Sequence, residues 1–246
     1  SIPLAHGHNL YTLLKDLYSP LAEAIKSEEA VGEYIDSSIE RVSISQATEL
    51  SEDKMQSIER RLSAVLPEGQ ALYPFQYVGV AFIEMAEGRC LIGDHMGLGK
   101  SIQAIAYMAL HPEQNPFVIV CPSNVKYNWR NELNKWLPDR LVEIVKTGAQ
   151  KIEAKSDGLI IDESHYLKNS SAKRTEATLT LATLCSTVLC LSGTAISSRP
   201  KEFYNTLNLL KPEQFPSFFS FAQKYCDAWH NGFGWDFSGA SNTKEL

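Results

Sequence analysis

The stretch Asp94-His95-Met96-Gly97-Leu98-Gly99-Lys100-Ser101 decides how this chain is read. It follows a short apolar run, Cys90–Gly93, and opens an amphipathic one, Ser101–Ala109. A strand that turns on glycines into a helix is suited to hold an oxyanion. Gly97 and Gly99 let backbone N–H groups point inward, and the new helix brings its positive dipole end to the same place. Lys100 can reach the outer phosphates of a nucleotide, and the Ser101 hydroxyl can ligate Mg2+. Met96, Gly97, Leu98, Gly99, Lys100 and Ser101 are therefore the expected phosphate cradle. Asp94 departs from the strict P-loop pattern, which has glycine at that place.

Outward from this loop, short apolar runs alternate with helical patterns. The expected strands are Cys90–Gly93, Phe117–Cys121, Val142–Val145, Leu159–Ile161 and Thr187–Leu191. The expected helices are Phe75–Met85, Ser101–Ala109, Asn128–Trp136, Ala172–Leu184 and Lys201–Leu209. Continuous apolar strands alternating with helices imply an α/β fold, a parallel sheet with helices on both faces. Ligands of such sheets sit at the carboxyl ends of the strands.

Two further strand ends carry chemistry. Leu159-Ile160-Ile161 runs into Asp162-Glu163-Ser164-His165. Phosphoanhydride hydrolysis needs one carboxylate to hold Mg2+ and another to orient or deprotonate water, which suits Asp162 and Glu163 respectively. Leu191 runs into Ser192-Gly193-Thr194, whose hydroxyls can sense the nucleotide through His165 or touch a backbone phosphate. Trp129, Leu133 and Trp136 recur at helical spacing and are expected in the core rather than as base-stacking platforms.

The 246 residues carry 23 Lys and Arg against 29 Asp and Glu, a formal charge of −6. Hydrophobic residues make up 44%, which excludes a disordered or fibrous chain. No apolar run approaches the roughly 18 residues that span a bilayer, and Ser1–Asn9 lacks the order of a secretory signal, so no membrane is expected. The acidic balance argues against a nonspecific basic coat for DNA but allows a local strip at Lys126, Arg130 and Lys135. The five cysteines form no CxxC and are expected as buried, reduced thiols of an intracellular protein. Residues 1–70 are expected as a helical extension, with helices at Leu10–Ile25 and Met55–Val65, and 71–246 as the nucleotide-binding lobe. Within that lobe the aromatic-rich 213–246 is a protrusion or the start of a connection.

The set PFQxxGV, DHMGLGKS, CPSNVKYNW, IIDESH and LSGTA…RPKEFYNTLNLL, in this order over about Ala71–Lys211, resembles the first RecA-like lobe of SWI/SNF-type, superfamily 2 helicase-related ATPases. LYPFQ, DESHYLKN, SRPKEF, KYCDA and GWDFSGASNTKEL resemble its annealing-helicase, or HARP-type, branch. The resemblance implies a P-loop RecA-like fold with ATP and Mg2+ as cofactors, and a DNA-dependent ATPase that remodels forks or protein–DNA complexes. It implies duplex or forked DNA as partner, together with a second RecA-like lobe of the same protein. The implied place is the nucleus in a eukaryote, or the cytoplasm in a bacterium or phage. By resemblance, Gln76 reads adenine, Lys100 and Ser101 serve phosphate and Mg2+, and Asp162 and Glu163 hold Mg2+ and activate water. His165 couples the nucleotide to Ser192, Gly193 and Thr194, and Ser123 and Lys126 grip a DNA strand. The sequence also admits the motor of a restriction or other superfamily 2 helicase, or a non-catalytic nucleotide-gated module. Ala195, Ser101 and His95 stand where the family usually has proline, threonine and an acid.

Two absences carry expectations. Only Lys146–Gly158 separates the third and fourth strands, where the family has another strand, so a segment is expected to be missing near Lys151–Gly158. Nothing resembles the second lobe, whose arginines stabilise charge on the γ-phosphate. The chain is therefore expected to be truncated and nearly inactive alone.

Overall fold

The computed structural model describes residues 50–146, 156–168, 173–193 and 199–242. All of them belong to one compact unit, Thr48–Leu246. The expected strands form: β1 (Arg89–Ile92), β2 (Phe117–Cys121), β3 (Val142–Lys146), β4 (Gly158–Asp162) and β5 (Thr187–Leu191). They pair in parallel in the order β1-β5-β4-β2-β3. β2 and β5 are buried at every residue, which is why they read as unbroken apolar runs, whereas the edge strand β3 buries only Ile144.

Alternate side chains of each strand serve two cores. Ile119, Ile160 and Leu189 pack on one face with α1 (Glu52–Ser63), α2 (Pro74–Met85), α3 (Lys100–Leu110) and α4 (Lys126–Trp136). Val118, Leu159, Ile161 and Val188 pack on the other with α5 (Lys173–Ala182) and α6 (Pro200–Leu210). The sheet is thus covered on both faces, as the strand composition requires.

Local chemistry fixes the helix ends. Pro74 opens α2, where its missing N–H costs no hydrogen bond. Arg89 at the start of β1 donates to the Leu209 and Leu210 carbonyls at 2.7 and 3.4 Å and to the Cys185 carbonyl at 2.9 Å. A guanidinium on the last carbonyls of α6 meets the negative end of that helix. It ties the carboxyl end of α6 to the amino end of β1. α1 buries Ile58 and Leu62 in the first core, and Arg61 forks onto Glu84 of α2 at 2.6 and 3.0 Å. The helix expected at Leu10–Ile25 lies outside the described residues. So does most of the segment around Lys151–Gly158, up to Ser156.

All five cysteines are buried and free of disulfides. Burial pushes the Cys121 and Cys185 thiols up to about 11 and that of Cys190 up to about 12. Beyond α6, α7 (Phe218–Tyr225) and a hairpin of β6 (Trp229–His230) and β7 (Trp235–Asp236) form a separate aromatic cluster. Tyr204 of α6 contributes to it, with ring centroids 5.3 Å from both Phe218 and Phe221. At the hairpin tip the Asn231 side chain accepts from the N–H groups of Phe233 and Gly234, and the Phe233 ring is fully exposed.

Candidate functional site

Register brings three loops to one edge. Ile92 and Asp162 both pair with Leu191, so their backbones lie on either side of β5, about 10 Å apart at the usual strand spacing. The glycine loop leaves β1 one residue after Ile92, the acidic turn begins at Asp162, and Ser192 follows Leu191. The Ser192 N–H donates to the Ile92 carbonyl at 3.1 Å.

Gly97 and Gly99 have φ of 87° and 73°, the left-handed region where side chains are strained. A Cβ at Gly99 would lie 2.3 Å from Gln76 Nε2. Lys100 Nζ donates to the carbonyls of Asp94 and His95 at 2.8 and 3.2 Å, so the loop itself holds the ammonium above the helix start. The same Nζ lies 3.6 Å from where a Cβ of Gly193 would stand, and Met96 Cγ lies 3.1 Å from that point. The cradle and the Ser192–Gly193 turn are therefore in contact.

Asp94 has a structural partner. The side chain of Gln103, fully buried on α3, donates from Nε2 to Asp94 Oδ2 at 2.8 Å. Gly79 of α2 makes room for it: a Cβ there would lie 1.8 Å from Gln103 Oε1. The acid that breaks the strict glycine pattern thus fastens the loop to its own helix. Sequence reasoning misses Gln103. The signals that point to it are the odd Asp94 and a glycine inside the helix at Gly79.

Gln76 is buried, and both ends of its amide are engaged. Oε1 accepts from the Tyr73 N–H at 2.9 Å, and Nε2 donates to the Leu98 carbonyl at 3.3 Å. The residue expected to read adenine therefore touches the phosphate cradle directly. An amide nitrogen has a second proton and an amide oxygen a second lone pair, so capacity for a base remains.

The two carboxylates differ in their surroundings. Asp162 Oδ2 accepts from the indole N–H of Trp129 at 2.8 Å, and Oδ1 accepts from the Glu163 N–H at 3.0 Å. Glu163 sits at φ 54°, a left-handed backbone for a non-glycine residue. Its Oε2 is buried and lacks a hydrogen-bond partner among the described residues, although His165 Nδ1 is 3.2 Å away. His165 Nδ1 also lies 3.1 Å from Ser192 Oγ. One imidazole nitrogen thus faces both the acidic turn and the β5 turn. Thr194 and Ala195 lie outside the described residues.

On the far side of β4, β2 ends at Cys121. A 3-10 turn (Ser123–Val125) then leads into α4. Ser123 is exposed and Lys126 half-buried at the helix start, and Arg130 and Lys135 are exposed farther along α4. Trp129, Leu133 and Trp136 are buried as their spacing predicts. Burial raises the Cys121 thiol most, with the Asp162 charge adding to this and Lys126 opposing it. Lys126 and Asp162 therefore lie on one neighbourhood of the edge.

The donor set fits a magnesium nucleotide. It offers a glycine loop at a helix N-terminus, an ammonium, and a hydroxyl in the first turn of α3. Across the edge stand one tethered carboxylate and one buried carboxylate oxygen without a hydrogen-bond partner among the described residues.

The model of the SNF2-related domain family matches residues 75–157 and 146–233. The chain is 38% identical over 201 residues to a SWI/SNF-related matrix-associated actin-dependent regulator of chromatin subfamily A-like protein 1 of Xenopus tropicalis. That match covers 72% of this chain and 21% of the relative. It is 35% identical over 209 residues to the DNA annealing helicase and endonuclease ZRANB3 of Mus musculus, covering 71% of this chain and 20% of that protein. The chain thus spans about a fifth of the length of the curated relatives it matches. Among solved structures, a Sulfolobus solfataricus SWI2/SNF2 ATPase core in complex with dsDNA superposes with a TM-score of 0.57 at 24% identity. It covers 63% of this chain and 39% of that one, a likeness of fold.

Proposed function

The chain belongs to the SNF2-related domain family, as its first RecA-like lobe, and from that premise we propose that it binds ATP with Mg2+ as half of a DNA-dependent motor. The observation that carries this is the shared register of Ile92, Leu191 and Asp162, which sets the glycine loop, the acidic turn and the Ser192 turn on one edge.

Each residue then has a task its geometry suits. The loop Met96–Gly99 and the first turn of α3 offer N–H groups to phosphate oxygens. Lys100 exchanges the Asp94 and His95 carbonyls for β- and γ-phosphate oxygens. Ser101 and Asp162 would hold a magnesium ion, which when bound would supply positive charge to the phosphates. Glu163, with its buried acceptor oxygen, orients the attacking water and takes its proton. His165, between Glu163 and Ser192, transmits the state of the acidic turn to the Ser192–Thr194 segment. Gln76 reads the adenine edge while holding the Leu98 carbonyl, which links base recognition to the cradle.

Ser123, Lys126 and the N–H groups at the start of α4 are the proposed phosphate grip on a DNA strand. Duplex or forked DNA is the proposed track, and rewinding at forks the proposed outcome. The relative named as a DNA annealing helicase supports both. Turnover requires a second RecA-like lobe bringing arginines to the γ-phosphate. In a eukaryotic cell the place of work would be the nucleus.

The test is ATP hydrolysis by the full-length protein with single-stranded, duplex and forked DNA side by side, together with strand annealing. Stimulation greatest on forked DNA, with rewinding and no unwinding, is expected. Net unwinding of duplex would point instead to a different superfamily 2 helicase, and hydrolysis indifferent to DNA would overturn the motor.

A further inference from the structure

We propose that Trp129 is a positioning residue for the cation: its indole N–H fixes the Asp162 carboxylate and ties it to the helix that opens at Lys126. The proposal rests on the assignment of Asp162 as a magnesium-holding carboxylate. An indole N–H can only donate, and a buried one needs an acceptor. α4 carries two buried tryptophans that solve this need differently. Trp136 donates to Glu132 Oε2, one turn earlier on the same helix, at 3.0 Å. Trp129, only 2% exposed, instead reaches across β2 to Asp162 Oδ2, 33 residues away, at 2.8 Å.

The consequence is geometric. The two oxygens of Asp162 are each held by one donor, and the donors come from different elements: Trp129 on α4 and the Glu163 backbone on the acidic turn. A carboxylate oxygen has two lone-pair directions, so each retains one for a cation. Rotation of the carboxylate would break one bond or the other. Groups behind a ligand that set its orientation change metal affinity markedly when removed. Trp129 is also three residues from Lys126, on the first turn of α4. Any shift of that turn would carry with it the donor that holds Asp162.

The experiment measures binding of a fluorescent ATP analogue to the full-length protein across a Mg2+ titration. Trp129→Phe keeps an aromatic ring but loses the donor. Replacing Trp129 by benzothienylalanine puts sulfur in place of the N–H and keeps the bicyclic shape, which separates the hydrogen bond from packing. Both variants should need roughly 10-fold more Mg2+ for half-maximal binding, with affinity in the absence of Mg2+ unchanged. In an Asp162→Asn background neither should shift the titration further. Wild-type Mg2+ dependence in the benzothienylalanine protein overturns the role of Trp129. If the unaltered protein binds the analogue with no Mg2+ dependence, the assignment of Asp162 itself fails, and the proposal with it.

Discussion

The carboxyl edge of the sheet and the aromatic unit of α7 and its hairpin are held together by different physics. At the edge, hydrogen bonds join groups far apart in the chain: His165 to Ser192 across 27 residues and Trp129 to Asp162 across 33. In the aromatic unit, rings meet rings, as in Phe219–Trp235 at 4.9 Å and Phe218–Phe237 at 5.2 Å. Directional bonds make the edge sensitive to the identity of single polar atoms. Ring packing depends instead on volume, and many substitutions of similar size keep it. The first region should therefore lose chemistry without losing stability, and the second the reverse.

The largest expected effect lies at Glu163. Glu163→Gln in the full-length protein should lower DNA-stimulated turnover about 10²–10⁴-fold, the range for loss of a general base. Nucleotide affinity should stay near the unaltered value. Parallel losses in both would merge Glu163 with the binding residues.

Phe221→Ala should test the other region. Phe221 is buried at the centre of the aromatic cluster, and its truncation should cost about 3–5 kcal/mol of stability by urea unfolding. Hydrolysis per folded molecule should remain. An equal loss of turnover would mean that the aromatic unit is part of the chemistry.

Gly79→Ala falls between the two. The added methyl would meet Gln103 Oε1 and cost about 1–3 kcal/mol by overpacking. Because Gln103 holds Asp94, nucleotide affinity should fall as well, measurable by the same fluorescent titration.

The thiols give a pH dependence. Burial holds Cys121 and Cys185 up near 11, well above the roughly 8.5 of a free thiol in an unfolded chain. The unfolded state therefore releases these protons first. Their contribution to stability is full below about pH 8.5 and is lost as pH rises through 11. Urea midpoints should fall from pH 8 to pH 10.5, less steeply in a Cys121→Ala protein. The smallest effect is expected at the half-buried Lys126 that opens α4. Lys126→Ala should weaken DNA binding uniformly across sequences and reduce the salt slope by about 0.9, one phosphate contact.

Much of the candidate site is legible in the sequence because phosphate chemistry would dictate its residue types. The glycine loop, the Asp162-Glu163 pair and the apolar strands that lead into them carry their own physical reason. Both cores follow from strands buried on two faces. Strand order is not legible, since register across β5 and β2 depends on tertiary packing that no single segment encodes. Helix starts shift for local reasons: α4 begins at Lys126 rather than Asn128, directly after the turn at Ser123–Val125. Periodicity places Trp129 in the core but cannot say where its N–H points. Gln103 reads as one more polar residue on α3 until Gly79 and Asp94 are seen around it. The aromatic tail shows its rings but not their partners, because packing among rings leaves no spacing rule.

The most direct test of a single magnesium–ATP site is a crystal structure of the protein with Mg2+ and a non-hydrolysable ATP analogue. The γ-phosphate should lie on Lys100, with the cation held between Ser101 and Asp162 and the Trp129 N–H still on that carboxylate. A nucleotide bound away from the β1–β5–β4 edge, or a cation held by residues other than Ser101 and Asp162, would contradict the account.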